Sequence, residues 1–314
     1  MRILITGGAG FIGRHIAEHF QDRAEVRVLD NLRCGLTSNL SGLDCQLIVG
    51  SILDRDLVRE AMKGVDFVFH LAAMVSVPES VQKPNECAEI NAEGTAIVLE
   101  EAARARAKKL IFSSSAAIYG DNPAIPTIES MPAEPKSPYA ASKYEAERNC
   151  SAFTDEGRLA TVSLRYFNVF GTYQDRRGKY TAAVPAFIEK AIRDEPITIF
   201  GDGRQTRDFI YVKDVVAANA FFALKSQATG VFNVACGRKI TITDLALTIC
   251  NLAKSSSMIQ YGAERPSDVK HSVAGLDKAQ AAGFKPVSDL AEGLHATIEF
   301  FRKSIPRIEQ GPFL

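Results

Sequence analysis

Tyr139, Lys143 and Ser115 have the residue types and spacing that proton transfer requires. Tyr139 and Lys143 are four positions apart in the stretch YAASK, so a helix would place both side chains on one face. Ser115 follows a predicted strand at 109–114, at the edge where doubly wound sheets bind ligands. A free phenol has a pKa near 10, so a tyrosine base working near pH 7 needs its anion favoured by about 4 kcal/mol. Lys143 and a helix N-terminus are both positive, so this pattern predicts an acid–base site.

A glycine-rich turn, TGGAGFIG at residues 6–13, follows the first predicted strand and opens the first predicted helix. Gly7 suits a tight turn, Gly10 lets the backbone approach a pyrophosphate, and Gly13 lets the helix pack against the sheet. Three glycines at this spacing are a weak signal alone. Their position between a strand and a helix predicts a dinucleotide site.

Asp30 ends the second predicted strand. Its carboxylate suits both hydroxyls of an adenosine ribose and repels a 2′-phosphate, which favours NAD over NADP. Arg33 is close enough to soften this preference, and the commoner alternative is a solvated loop arginine.

Three arginines of the second half, Arg204, Arg207 and Arg265, are candidates for a pyrophosphate clamp. A guanidinium fork matches phosphate oxygens bidentately, and this half of the chain has no other strongly basic cluster. We favour Arg207 and Arg265 as the pair that binds the diphosphate.

The elements that must position these residues alternate between short β-branched or aromatic runs and helical patterns, which predicts βαβ crossovers and a parallel sheet. A helix should start beside Tyr139, with Ser137 as N-cap and Pro138 as first helical residue. A proline-rich irregular loop is predicted at 121–138. The candidate strands of this part are 2–6, 25–30, 46–51, 66–72, 109–114 and 161–167, and the candidate helices are near 11–20, 54–63 and 85–106.

From about residue 169 the alternation gives way to short strands at 197–200, 207–212 and 231–235 and helices at 182–193, 213–225, 244–254 and 288–303. We predict an α/β fold with two lobes. A doubly wound parallel sheet (Rossmann) with the cofactor site covers residues 1–168. A second, smaller α/β substrate-binding lobe covers 169–204 and 231–314, and elements from about 205–230 pack back on the first lobe.

Composition excludes several classes of function. The chain has 314 residues with 37 Lys plus Arg and 37 Asp plus Glu, so no global field would recruit nucleic acid or an anionic membrane. No uncharged apolar run approaches the roughly 18 residues of a membrane span. The first strand begins directly after Met1, which leaves no room for a signal peptide. We therefore expect a cytoplasmic protein.

Cysteine and histidine placement argues against disulfides and metals. The six cysteines are scattered without a C-x-x-C pair, so we interpret them as buried thiols in a reducing compartment. His15 and His19 share a helix face, but no third ligand at motif spacing accompanies them. We interpret both histidines as surface residues and predict no metal site.

Taken together, these residues and motifs resemble those of the extended short-chain dehydrogenase/reductases, specifically the UDP-galactose/UDP-N-acetylglucosamine 4-epimerase family. The resemblance covers essentially the whole length. The matching stretches are TGGAGFIG at 6–13, DNL at 30–32, HLAA at 70–73, SSSAAIYGD at 113–121, SPYAASK at 137–143, RYFNVFG at 165–171, GDGRQTRDFIYV at 201–212 and RPSDV at 265–269.

The resemblance implies an NAD-dependent epimerase that inverts C4 of a UDP-sugar through a transient 4-keto intermediate. It assigns catalysis to Ser115, Tyr139 and Lys143, and implies a homodimer formed through helices 85–106 and 138–156. The implied cofactor residues are Gly7, Gly10, Phe11, Ile12, Gly13, Asp30, Asn31, Ser51, Ile52, Leu71, Ala72, Ala73, Asn91, Tyr139, Lys143 and Tyr166. The implied substrate residues are Ser115, Asn168, Val184, Phe200, Arg207, Arg265, Asp268 and Ser272.

Two positions distinguish this chain within the family it resembles. Ser51 stands where an acidic residue usually faces the adenine amine, and a neutral hydroxyl accepts a weaker hydrogen bond than a carboxylate. Ser272 stands where members confined to plain hexoses tend to carry tyrosine. The missing phenol leaves room for an acetamido group, so the resemblance implies UDP-GlcNAc and UDP-GalNAc as substrates alongside UDP-Glc and UDP-Gal.

The sequence also allows alternatives to a hexose 4-epimerase. Related 4,6-dehydratases and sugar-acid decarboxylases typically place an acidic residue directly after the active-site hydroxyl, where this chain has Ala116 and Ala117. A UDP-uronate 4-epimerase or decarboxylase is the main alternative. A catalytically silent NAD-sensing protein is the alternative of a different class, although such relatives typically lose the tyrosine or the lysine.

Overall fold

The computed structural model of the protein describes residues 1–122, 124–175, 182–264 and 269–304. Within these ranges the strands are β1 (Arg2–Thr6), β2 (Glu25–Asp30), β3 (Gln46–Val49), β4 (Phe67–His70), β5 (Lys109–Ser115), β6 (Thr161–Tyr166), β7 (Asn168–Phe170), β8 (Ile197–Phe200), β9 (Thr206–Arg207), β10 (Phe209–Tyr211), β11 (Gly230–Val234), β12 (Ile240–Thr241) and β13 (Ile259–Gly262). The helices are α1 (Phe11–Phe20), α2 (Arg55–Ala61), α3 (Val77–Gln82), α4 (Pro84–Ala88), α5 (Gly94–Arg104), α6 (Pro138–Asp155), α7 (Ala183–Ile192), α8 (Val212–Leu224), α9 (Ile242–Ala253), α10 (Asp277–Ala281) and α11 (Leu290–Ser304).

A seven-stranded parallel sheet carries the first lobe, in the order β11-β6-β5-β4-β1-β2-β3. The strand order reverses between β1 and β4, which is the switch point where such sheets bind ligands. The predicted doubly wound Rossmann sheet is confirmed.

Helices cover both faces of this sheet because its strands are apolar on both sides. Along β1, Ile3 and Ile5 pack with α1 and α8, whereas Leu4 packs with α2, α5 and α6 on the opposite face. This alternation is the pattern of a strand whose successive side chains point to opposite faces. The result is two apolar layers that hold the strand ends at fixed positions.

The second lobe packs α7, α9 and α11 around the short strand pairs β8–β13 and β9–β12. The strand predicted at 231–235 was expected here, but as β11 it pairs with β6 at the edge of the large sheet. The physical reason is burial, because Phe232 and Val234 pack into the same apolar layer as α1 and α8.

Two predicted elements are interrupted. The helix expected at 85–106 is α4, a π-helical turn at Glu89–Glu93, and α5. The strand expected at 207–212 is divided into β9 and β10 by Asp208, whose buried carboxylate accepts amide N–H groups from Cys236, Gly237 and Ala274. Because this carboxylate is buried, the backbone turns inward at Asp208, and the strand is interrupted there.

Two expectations about exposure are wrong. His15 is buried and hydrogen-bonded to the Thr172 carbonyl oxygen, because α1 packs against the segment that follows β7. Among the cysteines only Cys87 and Cys150 are buried, and Cys34 is exposed in the loop after β2. Within the described ranges, no helix is both long and apolar enough to cross a membrane.

Candidate active site

The carboxyl ends of five parallel strands bring the predicted residues to one edge of the sheet. β1, β2, β4, β5 and β6 end at Thr6, Asp30, His70, Ser115 and Tyr166. Because the strands are parallel and in register, with Ser115 opposite Tyr166, these ends form one continuous edge. The predicted proton-transfer residues and the glycine turn are therefore neighbours in the fold.

The start of α6 is fixed by a local N-cap and by one hydrogen bond to α3. The Ser137 hydroxyl accepts the Ala140 amide N–H at 3.1 Å, and Pro138 occupies the first turn, as predicted. The amide of Tyr139 donates to the buried Ser80 hydroxyl of α3 at 3.1 Å. This capping presents Tyr139 and Lys143 on the helix face toward β5.

Ser115, Tyr139 and Lys143 come together at the end of β5. The Ser115 hydroxyl accepts the Ala117 amide N–H at 3.1 Å and shares a hydrogen bond with the Tyr139 phenol. The Lys143 ammonium donates to the Ser113 carbonyl oxygen at 2.8 Å and lies 4.8 Å above the centre of the Phe112 ring. A phenol, a hydroxyl and an amine in this arrangement can move a proton.

Burial controls the protonation of both groups. It lowers the pKa of Lys143 to about 8, because the charged ammonium loses its hydration. It also raises the pKa of Tyr139, and the Ser115 hydrogen bond only partly opposes that rise. Desolvation raises the pKa of Tyr139 in the protein alone, and the lowering expected from Lys143, the helix N-terminus and an oxidised nicotinamide together stays a prediction.

The glycine turn forms a backbone cradle that has no room for side chains on its inner side. Gly7 has a φ of 71°, and a Cβ there would lie 2.7 Å from the Ala72 amide nitrogen. A Cβ at Gly13 would lie 2.4 Å from the Gly7 carbonyl oxygen, whereas one at Gly10 would meet only that same oxygen, at 3.2 Å. The N-cap of α1 is Gly10, which has no side chain to occupy the helix N-terminus. The cradle therefore fits a pyrophosphate.

The residues beside the cradle fit an adenosine ribose. Asp30 is buried, and its two carboxylate oxygens accept the amide N–H groups of Ala9 at 3.0 Å and Leu32 at 2.8 Å. Each oxygen keeps a lone pair for a ribose hydroxyl. Ser51 accepts the Leu53 amide N–H at 3.2 Å, and its neighbour Ile52 is buried.

The remaining cofactor candidates differ in what their side chains contact. Leu71, Ala72 and Ala73 follow β4, and the Ala72 amide donates to the Thr6 hydroxyl at 3.2 Å. Asn91 is buried, with its amide donating to the Met74 carbonyl at 3.0 Å and the Ser142 hydroxyl at 2.9 Å. The Tyr166 phenol pairs with the Asn219 amide below the edge. Contacts of Asn91 and Tyr166 with the cofactor stay predictions.

A cavity of about 480 Å³ opens beside this edge and collects four of the predicted substrate residues: Asn168, Val184, Phe200 and Arg207. The Asn168 side chain donates to the Asp208 carbonyl at 3.0 Å, and the Arg207 guanidinium donates to the Thr206 carbonyl at 2.9 Å. The half-buried Ser272 is adjacent through its amide, which donates to Thr206, but is not part of the cavity wall. Arg265 and Asp268 lie outside the described residues.

One buried pair beside the site was not identified from the sequence. Glu147 accepts two hydrogen bonds from the Arg165 guanidinium, at 2.5 and 3.0 Å, and one from the Ser114 hydroxyl at 2.8 Å. Glu147 is four residues beyond Lys143 and eight beyond Tyr139, on the same face of α6. That spacing was the available signal, since a carboxylate on the inward face of a buried helix needs a partner.

Fold and site together define an NAD-dependent enzyme of the short-chain dehydrogenase/reductase type. The chain belongs to the NAD dependent epimerase/dehydratase family, whose model matches residues 3–235. The glycine cradle and Asp30 described above fit NAD, which is the cofactor of this family.

Similar proteins extend over nearly the whole chain. A UDP-N-acetylglucosamine 4-epimerase from Methanobrevibacter ruminantium M1, solved with UDP-N-acetylmuramic acid, is 39% identical with a TM-score of 0.94, covering 97% of this chain and 99% of its own. A UDP-glucose 4-epimerase of Mycolicibacterium smegmatis is 34% identical over 96% of this chain and 99% of its own. A UDP-N-acetyl-alpha-D-glucosaminuronate decarboxylase of Bacillus cytotoxicus is 33% identical over 96% and 98%.

Proposed function

We propose that this enzyme inverts C4 of a UDP-sugar through a transient 4-keto intermediate. The observation that supports the proposal is that Ser115, Tyr139 and Lys143 meet at the same sheet edge as the glycine cradle, while the cavity lined by Asn168 and Arg207 begins just beyond the end of β6. Asn168 is only two residues beyond Tyr166, the register partner of Ser115. A sugar attached to a diphosphate in the cavity would therefore reach the phenol.

The chain's own residues supply proton transfer and positioning. As phenolate, Tyr139 would accept the proton of the sugar 4-hydroxyl, directly or through the Ser115 hydroxyl, and would return it after the sugar has turned. Lys143 holds its position through the Ser113 carbonyl and adds positive charge beside the phenol. The glycine cradle and Asp30 would hold NAD, which would supply hydride transfer at C4 of the sugar in both directions.

Binding energy in this scheme belongs at the nucleotide and not around the hexose. Inversion requires the sugar to turn over between the two hydride transfers, so tight contacts to the ring would slow the reaction. Arg207 and Asn168 are positioned in the cavity wall to hold the UDP group, together with the predicted contacts of Arg265 and Asp268. Guanidinium groups bind diphosphate oxygens bidentately.

We further propose that acetamido sugars are substrates, so that UDP-GlcNAc and UDP-GalNAc interconvert alongside UDP-Glc and UDP-Gal. Ser272 supports this proposal because a serine leaves free the volume that a tyrosine ring would occupy. Its backbone bond to Thr206, the neighbour of Arg207, places it next to the cavity wall. The solved relative from M. ruminantium is named as a UDP-N-acetylglucosamine 4-epimerase.

A uronate-specific epimerase or decarboxylase is the second candidate, favoured by the B. cytotoxicus relative. The segment after Ser115 argues against a reaction at C5, since Ala116 and Ala117 form a 3-10 turn and bring no acid to the site. The intact tyrosine and lysine argue against a catalytically silent sensor.

The test is to incubate purified protein with UDP-hexoses, UDP-N-acetylhexosamines and UDP-uronic acids and to read product ratios by NMR. We expect 4-epimers of both the acetamido sugars and the hexoses, without release of CO₂. Turnover of uronates alone, or CO₂ release, would support the second candidate instead.

A matched pair of variants separates the acetamido proposal from the general one. Ser272→Tyr should suppress acetamido turnover and largely spare hexose turnover, because the added ring fills the space beside C2. Ser272→Ala keeps the volume open and should keep both activities. Equal losses on both substrates in Ser272→Tyr, or no acetamido turnover in the wild type, would show that Ser272 does not control access.

A further inference from the structure

Arg33 is held between two carboxylates from a distant part of the chain. Its guanidinium donates to Glu79 of α3 at 2.7 Å and to Glu86 of α4 at 2.5 Å. The side chains of Arg33, Glu79 and Glu86 are only 29, 34 and 36% exposed. Arg33 is an exposed loop residue, as the interpretation of it as a solvated loop arginine expects, but both terminal nitrogens of its guanidinium donate to carboxylates.

The backbone around Arg33 is fixed at the ribose end of the cofactor groove. The Asp30 carboxylate accepts the Leu32 amide N–H, and the Asn31 side chain accepts the Arg33 amide N–H at 3.1 Å. Leu36 then donates to the Ala9 carbonyl at 3.1 Å, which returns the loop to the glycine turn. Arg33 thus starts three residues from the ribose-binding carboxylate, where an arginine would otherwise accommodate a 2′-phosphate.

We propose that Glu79 and Glu86 are specificity-determining residues that withhold Arg33 from a 2′-phosphate and so strengthen the preference for NAD over NADP. Asp30 repels the phosphate directly. The two glutamates act through Arg33, because a guanidinium whose two terminal nitrogens each donate to a carboxylate is held by those carboxylates and its charge is already compensated. Glu79 and Glu86 also place negative charge on the Arg33 side of the groove, where a bound 2′-phosphate would need a cationic partner.

A plain structural role for the same ion pairs makes a different prediction. If Glu79 and Glu86 only anchored the loop, their loss would weaken NAD and NADP alike. If they withhold Arg33, their loss would strengthen NADP binding selectively, and the gain would require Arg33. The ratio of the two dissociation constants therefore separates the roles.

The experiment measures binding and not turnover. Purified full-length protein is dialysed to equilibrium with labelled NAD⁺, and unlabelled NAD⁺ or NADP⁺ is added as competitor. The proteins compared are the wild type, Glu79→Gln with Glu86→Gln, Arg33→Met, and the triple variant. Glu60→Gln serves as the matched control. Glu60 lies on α2, and its only ion-pair partner among the described residues is the exposed Lys63.

We expect the double glutamine variant to lower the ratio of the NADP⁺ to the NAD⁺ dissociation constant by about tenfold, which corresponds to about 1.4 kcal/mol. Arg33→Met alone should change the ratio little, because that arginine is already occupied, and the triple variant should lose the gain. Glu79→Gln alone and Glu86→Gln alone should each lower the ratio by part of this amount.

An unchanged ratio in the double variant, an equal gain in the triple variant, or an equal gain in Glu60→Gln would overturn the proposal. If the double variant does not fold, the same outcomes in the single variants decide it. The inference concerns the cofactor alone, so its failure would leave the proposed sugar chemistry intact.

Discussion

Burial shifts the pKa values of Tyr139 and Lys143 in opposite directions and favours the neutral form of both groups. The Tyr139 pKa is raised and the Lys143 pKa falls to about 8, because an ion of either sign loses hydration at the end of β5. A phenolate at this position therefore needs positive charge beyond what the protein alone supplies.

Replacing Tyr139 by phenylalanine removes a single oxygen atom and so tests the proposal that Tyr139 is the general base. The ring and its packing remain, while the hydroxyl that is proposed to accept the sugar proton is removed. We expect epimerisation to fall by about 10² to 10⁴. Binding of UDP should change little, since the proposed place of the phenol is at C4 of the sugar and not at the nucleotide. Retention of more than about a tenth of wild-type turnover would contradict the assignment.

Replacing Lys143 by methionine tests the cost of the buried ammonium. The folded-state pKa of about 8 lies below the ordinary value of 10.5, so the unfolded chain binds more protons between these values and wild-type stability rises with pH across that window. Below pH 8 the burial cost is fully present. We therefore expect Lys143→Met to raise the free energy of unfolding at pH 7 by about 1 to 3 kcal/mol, after loss of the Ser113 hydrogen bond.

Urea denaturation of both proteins at pH 7 and pH 10, without added cofactor, measures this effect. The advantage of Lys143→Met should shrink at the higher pH, because the wild-type ammonium is then largely deprotonated. An advantage that grew with pH would show that Lys143 is not desolvated as the fold indicates.

Helix α6 carries the proposed catalytic pair, Tyr139 and Lys143, and one turn further the carboxylate that attaches the helix to the sheet. Glu147 and Arg165 are buried, with 4 and 5% of their side chains exposed, and the pair joins α6 to β6 while Ser114 joins it to β5. Glu147→Gln keeps the shape but leaves the Arg165 charge uncompensated. We expect the free energy of unfolding to fall by about 3–5 kcal/mol, as measured by chemical denaturation.

Two further variants control for this prediction. Glu60→Gln removes an exposed ion pair and should cost about 0–1 kcal/mol. Combining Glu147→Leu with Arg165→Met removes both charges and should cost less than Glu147→Gln alone. A loss in Glu147→Gln no larger than in Glu60→Gln would show that the pair does not hold α6 to the sheet.

Elements whose signals are local were predictable from the sequence, and those set by distant contacts were not. The glycine turn and the Ser137–Pro138 helix start depend on neighbours within a few residues, and both were expected. The partners of Arg33 are 46 and 53 residues away, and no periodicity connects them. The edge position of β11 depends in the same way on pairing with β6, which a strand pattern alone does not specify.

At the scale of the whole molecule, the two lobes separate the tasks that the reaction combines. The seven-stranded sheet holds the cofactor cradle and the proton-transfer residues, while α7, β8 and β9 line the cavity for the nucleotide sugar. A homodimer through α5 and α6 stays a prediction, and light scattering with size-exclusion chromatography would decide it.

The net stoichiometry of the complete cycle gives the last prediction. Inversion at C4 leaves the oxidation state of the sugar unchanged, so a hydride that leaves the sugar must return to it before release. We expect steady turnover with catalytic amounts of NAD and no accumulation of NADH. The absorbance of the reduced nicotinamide, recorded alongside product formation, measures this. NADH formed in proportion to product would identify a dehydrogenase that releases an oxidised sugar. With Tyr139→Phe as the inactive control, any reduction of NAD that does not depend on the site can be subtracted.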